Sequence, residues 1–301
     1  MFMPRLPLFV SLVLAGVSLS WVQATDTPAT YSLNLVPACK VGTKFNLVTD
    51  STDESQTHIT MTMPGETLPK KNEQNEQVIA HFEGEAEVLA VFPNGSIQKL
   101  SATVKIFIAT SEGQPLPGLP GPGAKIVVEK LGTEKKCTID AQPTSDNMAK
   151  LIDEVIELGN EQNTDQEIFG NASPVTVGAT WPVNAKALIA ELKGDTSVAM
   201  SGAKGTVKLD AVTGSGENLV ATVTGIYVVE GAKPTLPAGM TVDSMNISGG
   251  IAMTVPAVAK GVQKKRVTAS MQMAAHGKGG GIEIKIDSAG EQKKTMELTF
   301  H

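Results

Sequence analysis

The 301-residue sequence predicts a mainly β protein, built from curved antiparallel sheets as two related β units, with one central amphipathic helix between them. Three observations carry this expectation. Hydrophobic residues make up 41% and charged residues 19% of the chain, with a mean hydropathy of +0.01, which is globular and not disordered composition. Aromatics are only 4% while Gly (29) and Pro (17) are abundant, a mixture that suits many turns between strands better than a helical bundle. Short runs rich in Val, Ile and Thr, bounded by Gly, Asn and Pro, recur along the chain.

Residues 1–24 differ from the rest. Arg5 is their single charge, Leu6 to Val22 is nearly unbroken apolar sequence, and Val22-Gln23-Ala24 gives the small-residue ending of a secretory signal peptide, followed by polar Thr25-Asp26-Thr27. Cleavage after Ala24 leaves an exported chain, periplasmic or extracellular, that no longer spans a membrane; the absence of a Cys at that point argues against a lipid anchor. Loss of Arg5 takes the net charge from −6 to −7. An acidic chain whose basic clusters (Lys70-Lys71, Lys135-Lys136, Lys264-Lys265-Arg266, Lys293-Lys294) are not interleaved with aromatics is a poor partner for nucleic acid, and those clusters read as solvated turns and strand edges.

An N-terminal β unit is expected over 25–144. Strands are read at 41–49 and 57–63, then at 77–92 and 96–110 on either side of Pro93-Asn94-Gly95, where an Asn-Gly pair supplies the positive φ angles of a tight hairpin. Further strands are read at 124–130 and 135–140, with 115–123 (PLPGLPGPG) a stiff exposed loop. At 145–160 the pattern changes: Met148, Leu151, Ile152, Val155 and Leu158 recur at helical spacing between an N-cap at Ser145-Asp146 and a stop at Gly159. Its apolar stripe calls for a sheet to cover it. The C-terminal β unit, 161–301, holds a short segment at 185–193 that reads as helix or strand, with Asn184 as cap and Gly194 as stop. It continues with strands at 204–213, 218–229, 240–255, 262–275, 281–287 and 293–300.

The two units echo each other in order. Val41-Gly42-Thr43-Lys44-Phe45 matches Val177-Gly178-Ala179-Thr180-Trp181, the loop from Glu112-Gly113 to Pro117 matches that from Glu230-Gly231 to Pro237, and Gly132 to Cys137 matches Gly290 to Thr295. Uneven offsets fit a diverged duplication with insertions and not a short solenoid period. Phe169-Gly170, Pro174 to Pro182 and Gly205 to Val212, with the upstream strand, Asn-Gly turn and strand, resemble a pattern in an uncharacterised family of exported, mainly β bacterial proteins. Ala179 stands where that pattern usually carries an acid. The resemblance implies an envelope or secreted location and a β-rich fold, and it brings no catalytic residue.

No catalytic, cofactor-binding or metal-ligating residue is assigned, and no cofactor is expected. Cys39 and Cys137 are the only cysteines and, in an oxidising compartment, are expected to form a disulfide; two unrelated buried thiols are the alternative. His81, Glu83, Glu85 and Glu87 alternate on one face of a strand and read as a solvated face rather than a cation site. The pairings of His58 with Met61 and Met63, and of His276 with Met271 and Met273, have the donors of a copper(I) site. A spacing of three puts His58 opposite Met61 and His276 opposite Met273. Ser201-Gly202-Ala203-Lys204 and Ser145-Asp146-Asn147 have the spacing of penicillin-recognising motifs in the wrong order, and Gly277 to Gly281 lacks the Walker spacing. Two Trp and two Tyr cannot form the aromatic girdles of an outer-membrane barrel. What remains is a non-enzymatic protein whose partner is an apolar or lipid-like ligand or, alternatively, an envelope protein.

Overall fold

A computed structural model of the chain describes residues 29–36, 39–66, 68–132, 134–161, 165–192, 202–232, 239–279 and 282–301. The expected signal segment, Ser201 and Gly194 lie outside these residues. The N-terminal elements are β1 (Thr30–Tyr31), β2 (Lys44–Thr62), β3 (Lys70–Val91), β4 (Ile97–Ser111), β5 (Gln114–Pro115), β6 (Lys125–Leu131), β7 (Glu134–Ile139), β8 (Gln142–Pro143) and α1 (Asp146–Val155). They are followed by α2 (Asp165–Phe169), β9 (Val175–Thr176), β10 (Thr180–Pro182), α3 (Ala185–Leu192), β11 (Gly202–Thr213), β12 (Val220–Glu230), β13 (Met240–Pro256), β14 (Gly261–Gly279) and β15 (Ile282–Phe300). All pairings are antiparallel, and all but β1 and β9, which pair with each other, join one open sheet in the order β10-β11-β12-β13-β14-β15-β2-β3-β4-β6-β7-β8, with β5 on β4. Its edges end in strands of three and two residues, each carrying a proline.

The fold class is the expected one, and the register accounts for the two units. Gly42, at φ +85°, donates its N–H to Val88 O (2.8 Å) and Thr43 O accepts from Val88 N; Gly178, at φ +87°, donates to Leu209 O (2.7 Å) and Ala179 O accepts from Leu209 N. Phe45 and Trp181 then enter equivalent buried positions at the first ladder of each unit. From there the rungs run Val88, Leu100, Val128, Cys137 in one unit and Leu209, Val223, Met253, Lys265 in the other. Of the second sequence match, Gly113 and Gly231, both at positive φ, follow strands β4 and β12, and residues 233–237 lie outside the described residues. The third does not: Gly132 turns the β6–β7 hairpin at φ 63°, whereas Gly290 lies inside β15, which joins β14 of one unit to β2 of the other. Pairing on both sides carries β15 through its polar middle, so the separate strands expected at 281–287 and 293–300 are one; the same holds for β2, expected as 41–49 and 57–63.

One face of the sheet carries the core. Across eight strands a single row of opposed residues reads Leu209, Val223, Met253, Lys265, Met296, Thr49, Phe82 and Phe107, with Lys265 its one charge. Apolar residues collect at the two ends of this inner face. The N-terminal core packs Phe45, Leu47, Phe82, Val88, Leu100 and Val128 under Leu151, Ile152 and Val155 of α1. The C-terminal core packs Trp181, Val207, Leu209, Val223 and Met253 with Phe169 of α2 and Leu188 of α3. The expected caps hold: Ser145 Oγ accepts from Met148 N and Asn184 Oδ1 from Ala187 N. Helix α2 was not anticipated; five residues are too few for a periodic signal, and its last carbonyl is held by Trp181 Nε1 (2.8 Å).

Three local expectations are corrected. Helix α1 ends at Val155, Ile156 is extended, and the chain leaves the helix there, with Gly159 N donating to Ile97 O. Gly159 is needed for close approach, because a Cβ there would stand 2.4 Å from that of Ser96. The hairpin after β3 uses one positive φ angle, at Gly95; Gly95 N reaches Phe92 O and Phe92 N reaches Ser96 O, a Pro93-Asn94 turn closed by a glycine bulge. The disulfide is absent: Cys39 and Cys137 are both free. Cys137 sits three ladder steps from Val88, beside which the Cys39 segment docks through Gly42, and strands spaced about 4.8 Å apart put such positions beyond the reach of an S–S bridge. Burial pushes both thiols up from their ordinary acidity.

Candidate functional site

Between the two cores the inner face opens into a cleft of about 450 Å³, within the range of small-molecule sites. Phe45, Leu47, Leu298 and Phe300 wall it on the N-terminal side; Phe169, Leu188, Tyr227 and Ile251 wall it on the other. Its floor is polar. Because β14 and β15 alternate, Gln263, Lys265 and Val267 point inward from one and Gln292, Lys294 and Met296 from the other. The early end of α1 releases Glu157 from helical spacing and turns it into the cleft between buried Ile156 and Leu158.

Lys265 is 8% exposed and bonds Glu157 Oε1 at 2.6 Å and Asp165 Oδ2 at 2.8 Å, so it ties the linker after α1 and the start of α2 to β14. Burial alone would lower its pKa, but the two carboxylates outweigh burial and raise it. Glu157 keeps 37% of its side chain accessible. Burial works to raise its pKa, and Lys265 with Lys294 overcomes this and holds it at about 2. Lys294 is lowered, since its own burial prevails over the attraction of Glu157 and Glu154. Glu154 accepts from Ser51 Oγ and Gln292 Nε2, each at 3.1 Å. Thr49, on the same face of β2, is fully buried and its hydroxyl has no hydrogen-bond partner.

None of the histidine, methionine, serine and glycine motifs lies in this floor, whereas Lys265 and Lys294 of the basic clusters form part of it and Cys39 lines the cleft. Both ring nitrogens of His81 are engaged, by Asp50 (2.7 Å) and Glu83 (3.1 Å), while Glu85 pairs with Lys105 and Glu87 with Lys44, all on the outer face. His58 meets Glu73 on the outer face, and its neighbour Met61 faces inward opposite Ile284. His276 pairs with Asp243, while Met273 faces Met245 in a small inner cluster with Ala232. Gly277 lies within β14, not in a turn. Among the described residues no group of three or more His, Cys, Asp or Glu is arranged to hold a metal ion, and no helix is long and apolar enough to cross a membrane. The cleft lysines were misread as solvated. Their signal was parity: Lys265 shares its side of β14 with Gln263, Val267, Met271 and Met273, which makes it an inward charge on a mostly apolar stripe.

Comparison with known proteins adds little. No protein-family model matches the chain, and no curated protein matches it. Among solved structures, a Pseudomonas aeruginosa FadL homologue aligns with 85% of this chain and 90% of its own, at 7% identity and a TM-score of 0.13. Pseudomonas aeruginosa OccK11 (OpdR) aligns with 89% and 100%, at 8% identity and a TM-score of 0.12. Scores this low describe no shared fold.

Proposed function

We propose that this is an exported, non-enzymatic binding protein of the cell envelope that holds an apolar or lipid-like ligand in the cleft between its two cores. The observation that carries the reading is the cleft itself, whose walls come from both units and stand open to solvent instead of closing on each other. The leader-like sequence at 1–24 supports export. The floor is a network of ion pairs and hydrogen bonds in which the Ser51 hydroxyl that meets Glu154 is itself buried, which supports binding over catalysis. An envelope interaction protein is the second reading, favoured by Ile226 and Ile108, 68% and 56% exposed on the outer face.

Native mass spectra of residues 25–301, purified from the protein's own envelope, test the two. The expected result is an adduct of lipid-like mass that is lost on denaturation and reduced in Val36→Trp, which places a large side chain among the lining residues at a partly exposed position. A bare chain from wild type and variant alike overturns the binding reading and leaves the interaction reading.

A further inference from the structure

The cleft carries more acid than base, and its bases are already engaged. Its lining includes Asp153, Glu154, Glu157, Asp165 and Glu191 against Lys135, Lys265 and Lys294. Lys135 bonds Asp153 at 2.6 Å, Lys265 bonds Glu157 and Asp165, and Lys294 faces Glu157 at 3.9 Å while reaching the backbone oxygen of Asp153. Two carboxylates are thereby left with neutral hydrogen-bond donors: Glu154, held by Ser51 and Gln292, and Glu191 at the rim, held by Asn160 Nδ2 at 3.2 Å. Lys130 acts on Glu191 only at a distance, and Lys294 on Glu154 likewise. Asp53, next to Gln292 in the same inner row, crowds Glu154 further, and burial with the charges of Glu154 and Glu76 raises its pKa. Beside the cleft, the buried Thr49 hydroxyl, on the inner side of β2 between Leu47 and Ser51 and opposite Met296, has no hydrogen-bond partner.

A cleft with apolar walls and more carboxylates than lysines in its lining focuses a negative potential. Among the described residues that line the cleft, each lysine already holds a carboxylate, so an anionic head would meet Glu154 and Glu191 first. We propose that the ligand of this cleft is a cationic amphiphile, an apolar body carrying an ammonium or guanidinium group, whose body lies between the Leu298–Phe300 and Ile251–Val267 walls and whose head is drawn to Glu154 and Glu191. The inference rests on the cleft being a ligand site, and it adds the sign of the head.

Titration calorimetry on residues 25–301 with octylammonium, octanoate and 1-octanol separates the two claims, since the three probes share one chain and differ in head charge. Octylammonium is expected to bind about tenfold or more tightly than octanoate, a preference that weakens with added salt. Glu154→Gln, nearly isosteric and able to keep hydrogen bonds to Ser51 and Gln292, is expected to weaken octylammonium several-fold and leave 1-octanol unchanged, as is Glu191→Gln. Octanoate binding as tightly as octylammonium overturns the cationic head while 1-octanol binding keeps the cleft. Equal loss of octylammonium and 1-octanol in both Gln variants shows a role in shape and overturns it too. If no probe binds, the cleft reading falls with it.

Discussion

Lys265 joins β14 to the segment after α1 and to the start of α2. A buried ammonium is tolerated only with close counter-charges, and here two carboxylates from separate segments supply them within 2.8 Å. Removing one partner of a fully buried pair costs about 3–5 kcal/mol. Lys265→Met is expected to cost less, about 2 kcal/mol, because Glu157 and Asp165 can regain solvent through the cleft. Urea denaturation followed by circular dichroism measures the loss. The same network predicts an acid limb of stability. Glu157 titrates lower folded than unfolded, so its contribution is complete above the ordinary carboxylate pKa of about 4.3 and is lost as pH falls from there toward about 2. Melting temperature should drop over that window, and the drop should shrink in Glu157→Gln; an identical slope in the variant would assign the acid limb to other groups. Lys265, raised on folding, contributes below its unfolded pKa and loses that contribution only at strongly alkaline pH.

At the scale of elements, what the sequence signals best are devices local in the chain. The Ser145 and Asn184 caps, the Gly95 turn and the Gly42 and Gly178 corners all declare themselves through residue types whose conformational reasons are intrinsic. The end of α1 did not, because Leu158 fits a helical stripe as well as an extended one and the choice was made by Ser96 and Ile97 on a distant hairpin. Gly159→Ala tests this. Its Cβ would fall within 2.5 Å of Ser96 Oγ, so the segment after α1 must shift, at a cost of about 1–3 kcal/mol. Glu157 lies two residues away, and the variant should also weaken binding in the cleft. A melting temperature like that of wild type would show that the approach to Ser96 is not tight.

For the whole molecule, the sheet outruns its cores. Strands β2, β3, β14 and β15 extend past the helix-covered rows into stretches such as 53–62 and 70–77, whose side chains are half-buried or exposed. Local stability follows buried apolar contact, so hydrogen exchange should be slow at Val88, Leu100, Val128, Leu209, Val223 and Met253 and distinctly faster in 53–62 and 70–77. Equal protection by mass spectrometry would mean that something covers the distal sheet.

The strand-rich class and the amphipathic helix at Asp146–Val155 were legible in one dimension, because alternation, turn chemistry and capping are properties of neighbouring residues. The joining of the units was not. Strand β15 reads as two strands until β14 and β2 pair along its length, since a polar middle is acceptable only where both neighbours supply hydrogen bonds. The cleft was equally hidden. Its floor gathers Ser51, Glu154, Glu157, Asp165, Lys265 and Lys294 from β2, the α1 segment, α2, β14 and β15, and Lys265 takes the place in its unit that free Cys137 takes in the other. A lysine beside a lysine and an arginine reads as solvated until the register shows which way it faces and the fold brings two acids within reach, a consequence of long-range pairing that no local pattern encodes.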